Sequence, residues 1–140
     1  MQVETWERER AKVNMQPEVL KVEDLHAWFG DFHAVKGINL SVRQGQVAAL
    51  IGPSGCGKST FIRCINRLHE EVPGAKVKGG VSIGGQNIYG PGSDPVRIRR
   101  HVGMVFQKPN PFPGLSIYDN VAVGLRLGGV SKRTVLDERV

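Results

Sequence analysis

A chain of 140 residues with 40% hydrophobic content holds enough apolar surface for one core of ordinary size and not for two. No apolar run approaches the length of a membrane span, the first ten residues lack a secretory stretch, and two cysteines (Cys56 and Cys64) give neither a disulfide framework nor a metal-ligand spacing; a reducing, cytoplasmic setting follows. The net charge of +6 permits an anionic partner, but no basic stripe is interleaved with aromatics, so charge alone names none.

Residues 1–16 are mixed in charge and weakly apolar, and read as a tail or loosely held helix that ends at Pro17. Residues 17–140 are then one partial domain. From Val19 to Trp28 and from Ala34 to Val42, β-compatible residues flank a Gly30-Asp31 turn signal. Ile38, Leu40 and Val42 share one face and Asn39, Ser41 and Arg43 the other, which suits an antiparallel pair with one wet face. Val47-Ala48-Ala49-Leu50-Ile51 alternates poorly and is almost wholly apolar. It predicts a strand buried on both faces of a parallel sheet.

That run enters Gly52-Pro53-Ser54-Gly55-Cys56-Gly57-Lys58-Ser59-Thr60, which fits the pattern G-x-x-x-x-G-K-[ST], and Phe61 to Leu68 leaves it with helical spacing. Strand, glycine loop and helix form the arrangement that cradles a polyphosphate. Glycines let several backbone N–H groups converge on the anion, and the helix points its positive end at it. Lys58 can reach the β- and γ-phosphate oxygens, and the Ser59 hydroxyl can ligate Mg²⁺. The competing reading is a plain strand-to-helix turn whose Lys58 faces solvent.

After a Pro73-Gly74 loop, two short β runs around Gly84-Gly85 predict a hairpin. Asp94 and Pro95 signal the start of a short basic helix through His101. Val102-Gly103-Met104-Val105-Phe106 predicts another strand, ending at Gln107 and a proline-rich loop, Lys108 to Gly114. Ser116 and Asp119 open a helix carrying Ile117, Val121 and Leu125 on one side, and Gly128-Gly129 stops it. Ser131 opens one more polar segment.

The order of Phe29-Gly30, the strand pair, GPSGCGKST, a hairpin and Val102 to Gln107 resembles ATP-binding subunits of ABC transporters. The stretch Val105 to Pro113, followed by Ser116 to Val121, resembles the phosphate-import branch, as does Asn66-Arg67-Leu68 followed by Val72-Pro73-Gly74-Ala75. The resemblance covers roughly Val19 to Leu127. It implies an α/β fold: a P-loop nucleotide-binding core with an N-terminal antiparallel β subdomain, ending before the helical subdomain is complete.

For the site, the resemblance implies that Gly52 to Thr60 hold ATP, that Ser59 and Gln107 approach Mg²⁺, and that Lys58 stabilises the phosphates. Phe29 corresponds to the aromatic that stacks on adenine; its competing role is packing under its own hairpin. Trp28 should point the other way. Gln107 corresponds to the glutamine that senses the γ-phosphate and begins the loop facing a membrane permease, with Asn110 to Pro113 on the partner side. The partners implied are permease subunits of an importer and a second copy of the nucleotide-binding subunit, at the cytoplasmic face of the membrane, with no nucleic acid.

Hydrolysis in that family also needs an apolar run ending in Asp-Glu, a later histidine, and a Ser-Gly-Gly-Gln signature from the opposing subunit. Ser82 to Gln86 imitates the signature but precedes Gln107 and lies between β runs, so it reads as a turn. Val135-Leu136-Asp137-Glu138 imitates the acidic strand end but reads as the start of a helix. None of His26, His33, His69 and His101 stands where the switch histidine should. The chain is therefore expected to bind ATP, to turn it over poorly alone, and to be poorly stable in isolation. Two rivals stay open: a P-loop NTPase acting on nucleic acid, and a nucleotide-binding fragment inert in hydrolysis.

Overall fold

The computed structural model describes residues 17–140; the tail expected over residues 1–16 lies outside them. Contacts divide the chain into two units, Met1–Met104 and Val105–Val140.

The first unit is built on a four-stranded antiparallel sheet in the order β2-β1-β3-β4. β1 (Glu18–Phe29) and β2 (Phe32–Arg43) form the expected hairpin across Gly30-Asp31, with Phe29 opposite Phe32. β3 (Ala75–Ile83) pairs with the other edge of β1 and turns through Gly84-Gly85 into β4 (Gln86–Asn87). Both turn glycines have positive φ, +54° and +79°, so the signature-like Ser82 to Gln86 is a hairpin, as read from its place between β runs.

One face of this sheet is apolar because β1 keeps its period across a bulge. Val22, Leu25 and Ala27 point inward with Val35 of β2 and Val81 of β3. Register shifts between Glu23 and His26, and Asp24 holds φ +45°. The extra residue re-aims Leu25 into the core. Helix α1 (Lys58–Ile65) lays Phe61 and Cys64 on that face, and Ile88 closes the cluster. Burying a side chain such as Leu25 or Phe61 contributes about 2 kcal/mol.

The C-terminal end of α1 is tied down by arginines. Arg99, on α2 (Pro95–His101), donates to the carbonyls of Asn66 and Arg67 at 3.3 and 2.7 Å and pairs with Glu71 at 2.6 Å. Arg67, itself at φ +59°, donates to the carbonyls of Ile88 and Ser93 and pairs with Glu70. The carbonyls of Asn66 and Arg67, at and just past the C-cap, thus find a donor. α2 starts as predicted: the Asp94 side chain accepts from Val96 N at 2.9 Å and Pro95 fills the first turn.

In the second unit, α3 (Ile117–Leu127) begins at Ser116, whose Oγ accepts from Asp119 N at 3.1 Å and donates to the Asp119 carboxylate at 2.6 Å. Gly128 caps its end. α4 (Arg133–Arg139) follows, with Arg133 lying over the Tyr118 ring and pairing with Asp137 at 3.1 Å. Asp137 and Glu138 are therefore helical residues, as read. The predicted apolar side of α3 is corrected: Ala122 is its buried residue, while Ile117 and Val121 are exposed; in α4 the buried residue is Leu136. A strongly exposed Ile117 sits in the capped first turn, where no neighbour covers it.

The two central strands expected from sequence do not form. Val47 to Ile51 and Val102 to Phe106 carry no ladder, and Val47, Ile51 and Val105 are 93%, 94% and 98% exposed. A central strand of a parallel sheet needs another strand on each side to take its N–H and C=O groups. Among the described residues every ladder is antiparallel and belongs to β1–β4.

The bulge leaves one position with no tolerance. A Cβ at Gly79 would stand 2.2 Å from the Asp24 carbonyl oxygen, and its φ is +106°; at Gly84, φ is +54° and the space is open. We expect Gly79→Ala to destabilise the chain by about 3 kcal/mol and Gly84→Ala by about 1 kcal/mol. Urea midpoints of the two variants check this, and equal midpoints would contradict the clash.

Candidate nucleotide-binding site

The glycine loop is fixed by its contact with β2. Gly57 is the residue before α1, at φ +96°, and a Cβ there would lie 2.5 Å from the Ala34 carbonyl oxygen. Torsion and space both demand glycine. Gly55 also sits at positive φ, +80°, and a Cβ at Gly52 would be 2.9 Å from Cys56 Sγ. The loop is thus wound tightly on itself and pressed against the sheet edge, with Pro53, Ser54, Gly55 and Cys56 exposed on its outside.

Lys58 folds back over this loop. Its Nζ donates to the carbonyls of Gly52 and Pro53, both at 2.7 Å, and lies 3.5 Å from Cys56 Sγ. It does not simply face solvent. The ammonium spans the mouth of the loop, beside the N-terminus of α1.

That N-terminus differs from those of α2 and α3. It has no side-chain cap, whereas Asp94 and Ser116 cap α2 and α3. The orphan N–H groups of the first turn, together with the positive end of the helix dipole, leave a site suited to an anion. Ser59 is exposed and Thr60 half-buried in that turn. Among the described residues no group of three or more His, Cys, Asp or Glu side chains could hold a metal. A lone hydroxyl beside a phosphate cradle is the donor set of a hard cation that keeps phosphate and water oxygens as its other ligands.

A cavity of about 660 Å³ opens beside the loop. Gly55, Cys56, Gly57 and Lys58 line one side, and Phe32, His33 and Val35 of β2 another. Phe32, 65% exposed, went unnoticed in the sequence. Its place across the turn from Phe29 was the available signal. Phe29 itself is half-buried and does not line this cavity; its ring meets His69 edge-to-face, centroids 4.6 Å apart at 75°. Trp28 stacks on His33 at 4.3 Å, and His33 shares a 3.0 Å hydrogen bond with His26.

Gln107 is exposed at the start of the second unit. In that unit the proline-rich loop is stapled by Asn120, a residue sequence reasoning passed over. Its amide nitrogen donates to the carbonyls of Phe112, Leu115 and Ser116, and its oxygen accepts from Phe112 N at 2.7 Å.

A glycine loop leading into a helix, with an ammonium across its mouth, is the arrangement of a P-loop. Residues 35–139 match the family model described as ABC transporter. The chain is 59% identical over 124 residues to the phosphate import ATP-binding protein PstB of Rubrobacter xylanophilus, covering 89% of this chain and 43% of that protein. It is 55% identical over 121 residues to the protein of the same name from Koribacter versatilis, covering 86% and 48%. Among solved structures it is similar to CbiO1 of Clostridium perfringens, part of the ABC transporter complex CbiONQ, with a TM-score of 0.67 at 29% identity over 86% of this chain and 47% of that one. The chain belongs to the ABC transporter family. It spans about half the length of the curated relatives it matches.

The two cysteines are placed to report on the loop. Cys56 is exposed beside Lys58, whereas burial pushes the Cys64 thiol up to about 12. With its pKa raised, Cys64 stays a neutral thiol through pH 9, since deprotonation waits until the pH approaches 12. Iodoacetamide at pH 8 should therefore modify Cys56 and spare Cys64, and inorganic tripolyphosphate should slow the reaction at Cys56. Peptide mass mapping reads both.

Proposed function

We propose that this chain holds ATP as part of the energy-coupling subunit of an inorganic phosphate ABC importer. The observation that carries the nucleotide half of this reading is the uncapped start of α1 facing the Gly52–Thr60 loop, with Lys58 Nζ held across it by two carbonyls. Phosphate oxygens would offer Lys58 stronger, charge-assisted partners than the two neutral carbonyls. The N–H groups of the loop and first helical turn would take the remaining oxygens. The phosphate half is supported by the PstB relatives, named as phosphate import ATP-binding proteins.

Ser59 is the side chain that would ligate Mg²⁺, and the ion would neutralise phosphate charge. Phe29 would stack on the adenine. Residues 17–140 are then one partial nucleotide-binding domain whose second unit begins the helical part. Its exposed loop from Asn110 to Pro113 would face a membrane permease at the cytoplasmic side, and a second copy of the subunit would complete the site. Asp137 and Glu138 lie in α4 and Ser82 to Gln86 in a hairpin, so these residues do not supply the water-activating acid or the signature.

The test is affinity and turnover on the same chain. ATP with Mg²⁺ should bind, and Lys58→Ala should weaken it by about tenfold to a hundredfold, the worth of hydrogen bonds to a charged group. ATP turnover by these 140 residues should stay near background. Turnover at the rate of a whole transporter subunit, or unchanged affinity in Lys58→Ala, would overturn the reading.

A further inference from the structure

His69 occupies the short 3₁₀ turn His69–Glu71 that follows α1, and it is fully buried, with 0% exposure. Its Nε2 lies 2.9 Å from the Trp28 carbonyl oxygen. A carbonyl only accepts, so Nε2 carries a proton and donates it. Nδ1 is buried with no partner among the described residues. A polar atom left bare in a core is a cost that ordinary packing avoids, and a leucine or phenylalanine would fill the same space without it.

What the histidine provides in return is a grip on two successive residues at the end of β1. The Nε2 bond fixes the backbone at Trp28, and the ring meets the Phe29 ring edge-to-face, 4.6 Å between centroids. The next residue is also held, since Gly30 N donates to the Gly74 carbonyl at 3.0 Å. Phe29 itself remains half exposed. An aromatic at the end of a hairpin would otherwise lose rotamer entropy when it stacked on a base. A ring braced from one side has already been ordered.

We propose that His69 is a positioning residue for base recognition: it orients the Phe29 ring so that its exposed part receives the adenine. The proposal rests on Phe29 being the base platform. It requires both halves of the histidine, the donor for Trp28 and the ring for Phe29. Asparagine keeps a donor without the ring, and phenylalanine keeps a ring without the donor.

The experiment measures the affinity of the chain for ATP and, separately, for inorganic tripolyphosphate, which has no base. Phe29→Ala should weaken ATP by about tenfold, the low end of a stacked base, and leave tripolyphosphate within about twofold. His69→Ala should do the same, and the double variant should be no weaker than Phe29→Ala alone, because the histidine acts through that ring. His69→Phe should recover part of the loss and His69→Asn less. The proposal is overturned if Phe29→Ala weakens ATP but His69→Ala does not. It is equally overturned if the two losses multiply in the double variant, or if His69→Ala and His69→Phe both lower tripolyphosphate affinity in step with ATP, the signature of general structural damage. A silent Phe29→Ala would instead bring down the base platform itself, and the role of His69 with it.

Discussion

Phe61 and Cys64 pack α1 onto the inner face of the antiparallel sheet, and the phosphate loop has its place because that helix is anchored there. An anion cradle made of backbone N–H groups works only if those groups already converge; a loop that had to be ordered by its ligand would spend binding energy on itself. Two contacts supply the rigidity. The buried pair sets the helix axis, and Gly57 lets the loop backbone close on the Ala34 carbonyl.

The two ends of α1 are treated oppositely, and the difference is functional. At the C-terminal end, Arg99 takes up the carbonyls of Asn66 and Arg67, and the buried His69 ties the turn beyond to β1. At the N-terminal end no side chain among the described residues caps the N–H groups, and Lys58 folds across the gap. A helix held at its tail can leave its head open without losing its position.

Outside this anchored region, the apolar runs Val47 to Ile51 and Val102 to Phe106 form no strand, and Val47, Ile51 and Val105 are exposed. Both have the composition of central strands, and neither has a strand beside it among the described residues. The curated relatives are about twice as long as this chain. An unpaired apolar run of this kind is a template for association.

The local grammar of the chain was readable without coordinates: the hairpins at Gly30-Asp31 and Gly84-Gly85, the caps at Asp94 and Ser116, and the phosphate loop. Each depends on torsion preferences and hydrogen bonds within a few residues, and these travel with the sequence. Apolar composition was a weaker guide. It marked Val47 to Ile51 as a buried strand, but burial depends on what lies alongside, which no window of the sequence contains. The Asp24 bulge with Gly79, the cavity wall at Phe32, the clasp of Arg67 and Arg99 and the staple at Asn120 were likewise decided in three dimensions. So was the contact of His69 with Phe29, a pair forty residues apart in sequence whose meeting depends on how α1 crosses the sheet. The sequence alone determined that a phosphate loop is present; only the packing of α1 on the sheet decided that it is held in shape and which residues stand around it.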